Sequence, residues 1–206
     1  MGEKLKMKRS TFFSAIISLL SFIYKVVLGF LNASNVLIVA ATSTLLVFIC
    51  KVLFVKNVTM TRDKKKKAYL FMCLLILLYA LIFMAFVVLK AFGIDASNQK
   101  TYEGVIGILF ISFILLMFVL SIINLKGALE KTDIMVIGLK EMTFVSALAD
   151  AVIIEEFIYR TVSEYQTIEA LETVTRYFPL AMGILMIVVN IFMFIRFARY
   201  KADSKK

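Results

Sequence analysis

Apolar residues in this chain come in blocks of about twenty, and polar residues gather between the blocks. Neither the 3.6-residue stripe of an amphipathic helix nor the two-residue alternation of a barrel strand organises them. A block of that length suits a helix crossing the ~30 Å hydrocarbon core of a bilayer. The pattern predicts six spans, at about 11–31, 35–55, 68–92, 102–125, 133–159 and 177–197. The polar stretches between them read as a tight turn at Asn32-Ala33-Ser34, a basic loop at 56–67, short links at 93–101 and 126–131, and a mildly amphipathic loop at 161–176. The expected fold class is all-α: a polytopic membrane protein, with residues 1–206 forming one six-helix transmembrane domain.

Composition agrees. The 206 residues are 62% hydrophobic with a single proline, more apolar surface than a soluble core of this size hides. The net charge of +10 is distributed by position. Lysine and arginine crowd into alternate segments: Lys4 to Arg9, Lys56 to Lys67, Lys126 with Lys131, and Arg196 to Lys206. The intervening loops hold only Lys100, Arg160 and Arg176. That alternation predicts both termini in the cytoplasm of a multi-pass cell-membrane protein. It also accounts for the basic residues without nucleic acid, which needs a contiguous basic face on a soluble domain. The run Lys64 to Lys67 is a topology signal suited to contact with anionic lipid, and the expected partner is the lipid bilayer. Histidine is absent, which removes the usual metal ligand, general base and pH switch together. Cys50 and Cys73 sit inside apolar runs, where they read as packing residues. Nothing points to a cofactor or to covalent chemistry.

The chemistry lies in charges placed at membrane depth, where they are costly. Thr132 to Arg160 is long enough to span, yet carries Lys140, Glu141, Asp150, Glu155 and Glu156. Steps of three and four put Thr143, Ser146 and Asp150 on one helix face. The first span has a matching stripe, Ser14, Ser18, Ser21 and Lys25. Lys25 lies about six residues, or roughly 9 Å, from the outer end of its helix, and Asp150 about eight residues, or roughly 12 Å, from the end of its own. Thr42, Ser43 and Thr44 fall at the same level of the second span. A carboxylate among hydroxyls suits a proton or a hard cation, not a soft metal. Lys25 has two options there, snorkelling outward or pairing with Asp150, and a direct pair lowers the affinity for any other cation. Lys140 is expected to snorkel to the inner surface, with Glu141 beside it, and Glu155 and Glu156 to face water near the outer one. Asn124 and Asn190 read as interhelical hydrogen-bond glue.

The same residues carry a family resemblance. The turn segment from Lys25 through Gly29 to Asn32-Ala33-Ser34, the approach Ser146-Ala147-Leu148-Ala149-Asp150, and Tyr177-Phe178-Pro179-Leu180 opening the sixth span together resemble the membrane domain of the cation diffusion facilitator family. The resemblance implies a six-helix cation-efflux-like bundle with both ends cytoplasmic and a metal site between helices two and five. It also implies alternating access by rocking helix pairs, and a homodimer. The helix-two ligand positions hold Ser43 and Val47 here, and of four family ligands only Asp150 stands, so the zinc chemistry is expected to be lost. The family's histidine loop is replaced by the lysine run, and its cytoplasmic ferredoxin-like domain does not follow within 206 residues. Two functions stay open. One is a transporter-like protein moving a cation or proton past Asp150, with Ser43 and Ser146 lining the site, Thr143, Glu141, Glu155 and Glu156 as secondary groups, and Lys25 as counter-charge or gate. The other is a scaffold or accessory subunit in which Lys25 and Asp150 are a structural pair. Glu155-Glu156 with Arg160 also resembles the Glu-Glu-x-x-x-Arg motif of CAAX-prenyl-protease-like intramembrane proteins, but that chemistry needs histidines, and the expectation is a protein that is not an enzyme.

Overall fold

A computed structural model describes residues 2–31, 34–92, 104–129, 133–163 and 169–202. It contains six α-helices: α1 (Gly2–Leu31), α2 (Asn35–Asn57), α3 (Arg62–Ala91), α4 (Gly104–Leu129), α5 (Ile134–Ser163) and α6 (Glu169–Ala202). No strand occurs among the described residues. Five of the helices, all but α5, hold segments long and apolar enough to cross a membrane, which marks a multi-pass membrane protein. α5 is long enough as well, at 30 residues. It differs because its charges are spread along its length, and membrane-depth charges are tolerated where they face a bundle interior.

Several helices run further than the apolar blocks alone suggest. α1 begins at Gly2, inside the basic arm, and α4 continues to Leu129 through the expected charged link. The lysine run, expected in a loop, is the start of α3. Lysine is a good helix former, Thr61 leads in with extended backbone, and Asp63 places a negative charge in the first turn. The run is also tied down. The Lys65 ammonium donates to Asp133 Oδ2 at 2.5 Å, and the Arg62 guanidinium sits 4.6 Å above the Tyr200 ring. Asp133 in turn caps α5, its Oδ1 accepting the Met135 N–H at 3.0 Å.

α5 is the centre of the arrangement, packing against α2, α3, α4 and α6. α1 packs on α2, and α3 on α6 and α2, whereas α1 and α4 make no close helix–helix contact among the described residues. Fully buried Leu37, Tyr69, Met72, Ile76, Met142 and Met186 fill the interior. Large apolar side chains such as Phe13, Phe30, Leu78, Ile123 and Phe192 point outward, as a lipid-facing surface requires. The α1–α2 turn is built as its sequence suggests: the Ser34 N–H donates to Gly29 O at 2.8 Å, and Ser34 Oγ accepts the Leu37 N–H at 3.3 Å. Gly29 allows the two helices to meet, since a Cβ there would come within 2.8 Å of the Ile38 side chain.

Candidate functional site

Where α1 and α4 part, α1, α2, α4 and α5 enclose a cavity of 590 Å³. Helical periodicity decides what faces it. The α1 stripe Ser14, Ser18, Ser21 and Lys25 all line it, as do Thr143, Ser146 and Asp150 from α5. Thr44 and Lys51 of α2 join them, and α4 contributes the apolar Phe113, Ile114 and Met117.

One end of the cavity is closed by an ion pair. The Lys25 ammonium donates to Asp150 Oδ1 at 2.5 Å and to Thr44 Oγ1 at 2.9 Å. Three helices thus meet at the one level their spacing indicates. The side chains are 5% and 13% exposed, so Lys25 turns inward and does not snorkel. The snorkelling option fails because an acid and a hydroxyl within reach satisfy an ammonium better than a stretched side chain does.

Ser146 and Ser43 are brought together, but not as two walls of the cavity. Their hydroxyl oxygens lie 2.9 Å apart, and the Ser43 hydroxyl also reaches Ala40 O at 2.6 Å. The Ser43 proton goes to that carbonyl, leaving Ser146 as the donor between the two. Ser43 is fully buried behind the lining, where it ties α2 to α5. The Thr143 hydroxyl lines the cavity and donates to Leu139 O at 2.8 Å, within its own helix.

The remaining acids lie elsewhere. Glu141 is buried on the opposite side of α5, accepting from Arg196 of α6 and from the Tyr69 hydroxyl of α3 at 3.2 Å. Glu156, expected in water, is buried: it accepts from Arg160 at 2.9 Å and has the Lys90 ammonium at 3.3 Å. α5 runs past 159 to Ser163, so Glu156 is not at a frayed helix end but about two turns inside, held against α3. Glu155 is half-buried, with one carboxylate oxygen shielded. Lys140 reaches Asn124 Oδ1 at 3.3 Å across α4 and α5, and Asn190 of α6 donates to Cys73 O of α3 at 2.8 Å, so both asparagines bridge helices. Cys50 and Cys73 are buried free thiols.

The sequence reasoning passed over Lys51. Its ammonium donates to Ser14 O at 3.0 Å and to Ser18 Oγ at 2.6 Å, on the cavity wall. The signal was present: a lone cation inside the apolar block at 35–55. Arg196, counted only for topology, is likewise the partner of Glu141.

A four-ligand zinc centre does not fit these residues. The positions are Ser43, Val47, Ser146 and Asp150, and the one carboxylate is already held by Lys25. Among the described residues no three metal-ligating side chains cluster. No protein-family model matches the chain, and neither a curated protein nor a solved structure matches it.

Proposed function

We propose that this chain is a transporter-like membrane protein of cation-efflux layout that moves a proton or a hard cation past Asp150, with Lys25 as a built-in competitor for the carboxylate. The observation that carries the reading is that the Lys25–Asp150 pair opens on a cavity and is not sealed in packed side chains. A proton or cation arriving at Asp150 displaces the ammonium, and the ammonium returns when the site empties. Thr44, at 2.9 Å from the lysine nitrogen, gives it a second partner during that exchange. Ser146 lines the approach, while Ser43 stiffens the α2–α5 contact behind it. The adjacency of α2 and α5, and the separation of α1 from α4, support a bundle whose helix pairs rock against each other. The reading includes six spans with both termini cytoplasmic, from the alternation of basic loops.

Purified protein in proteoliposomes tests it. Proton or cation flux is expected from the wild type and is lost in Asp150→Asn with the helical fold intact. A wild type that moves no ion across a broad panel ends the reading.

The close contact favours a second reading, in which the pair is a bridge that fixes α1 to α5 in a non-transporting scaffold. Under it Asp150→Asn lowers the unfolding temperature, and the exchange Lys25→Asp with Asp150→Lys restores it.

A further inference from the structure

The charges lining the cavity do not balance. Lys25 and Asp150 cancel each other, which leaves Lys51. Among the described residues no acid lies within ion-pair distance of it. Its two hydrogen bonds, to Ser14 O and Ser18 Oγ, go to neutral oxygens that occupy two of the three ammonium donors and leave the charge uncompensated. An uncompensated cation in a span is costly unless something answers it.

The rest of the wall says what kind of molecule can. Ile17 and Leu20 of α1 and Phe113 and Met117 of α4 line the cavity and are all exposed. They flank the gap between two helices that do not pack together, so this mouth faces the hydrocarbon in a bilayer. Its 590 Å³ falls within the ~300–1,000 Å³ typical of small-molecule sites. A bare inorganic anion has no use for the apolar wall, and a neutral hydrocarbon has none for the lysine. We propose that the cavity binds a single-chain amphiphile with an anionic head, the head on the Lys51 ammonium and the chain along the apolar side chains of α4. This goes beyond the reading of Asp150 and stands whichever role that residue has.

Equilibrium binding to the purified full chain in detergent tests it, with radiolabelled palmitate, lysophosphatidate, hexadecylammonium and inorganic phosphate as probes. One palmitate or lysophosphatidate per chain is expected, and the preference between them tells a carboxylate head from a phosphate. Hexadecylammonium and inorganic phosphate bind far more weakly. Lys51→Gln weakens the anionic probes by at least about tenfold, the scale of one charge-assisted hydrogen bond, while Lys51→Arg retains them. Met117→Trp, which narrows the apolar side without touching the lysine, also weakens them and serves should Lys51→Gln fail to fold. Equal binding of palmitate and hexadecylammonium overturns the proposal. So does palmitate binding that neither variant changes, since both results mean plain partitioning into the micelle.

Discussion

Two carboxylates of α5, Glu141 and Asp150, answer the same chemical problem in different ways. They are nine residues apart, about two and a half turns, and so face opposite sides of the helix. Each meets a cation from another helix, Arg196 of α6 and Lys25 of α1. Around Glu141 the surroundings are packed: the Tyr69 hydroxyl reaches both its carboxylate and Met193 O, and Tyr69 itself is fully buried. Around Asp150 one side is open, bordered by the cavity. The Glu141 carboxylate, enclosed by packed side chains and held by donors from two helices, has one arrangement and acts as a clamp between α3, α5 and α6. A pair beside free volume has room for a second arrangement, which the proposed exchange at Asp150 requires.

The closed side is expected to break most sharply. Arg196→Ala strands a carboxylate that is 4% exposed, and removing one member of a buried pair typically costs about 3–5 kcal/mol. Glu141→Gln is milder at about 1–2 kcal/mol, because the amide keeps a partner in Tyr69 and the arginine, 32% exposed, turns to solvent. Thermal unfolding in detergent checks the order, and equal losses would dissolve the contrast between a buried acid and a partly exposed base. On the open side, Lys25→Met leaves Asp150 beside free volume in which the carboxylate can rearrange towards Thr44 and Ser146, and the expected loss is about 1–3 kcal/mol. Adding Asp150→Leu returns most of it, since a pair replaced by apolar side chains is often neutral. A double variant no better than the single one would show that the two residues do not act as a unit.

The six helices were legible because blocks of apolar residues have a length, and a bilayer fixes what that length means. The face carrying Ser14, Ser18, Ser21 and Lys25, and the matching face of α5, followed from helical periodicity alone. What periodicity does not contain is which helix stands opposite which face. Glu141 and Arg196 are 55 residues apart, and Lys90 and Glu156 meet only because α3 and α5 pack together. Ser43 shares a level with Asp150, yet level does not fix the direction around the α2 axis, and its hydroxyl ends behind the cavity wall. Lys51 was overlooked for a related reason. Its place inside the apolar block at 35–55 was visible along the chain, but only the position of α1 shows its ammonium bonded inward.

Two smaller changes probe how tightly the closed side is packed. At Gly138 of α5 a Cβ would lie 2.7 Å from the Tyr69 ring, so Gly138→Ala must move the ring whose hydroxyl serves Glu141. Overpacking of this kind costs about 1–3 kcal/mol. The ring movement also predicts that Gly138→Ala and Glu141→Gln combine less than additively, because the first already disturbs the bond the second weakens.

Asn190→Leu is the gentlest test of the same side. Its amide donates to Cys73 O across the α3–α6 contact, with the side chain almost fully buried. Interhelical hydrogen bonds in membranes average about 0.6 kcal/mol, since the separated helices find other partners. Leucine has nearly the same size, so the packing survives and only the bond is lost. A loss near that value, read from unfolding in a graded denaturing detergent, fits a face held by the fit of its side chains with hydrogen bonds as a minor addition. A loss of several times that size would mean that polar contacts set the α3–α6 spacing, and Arg196→Ala would then be expected to separate those two helices rather than only loosen them.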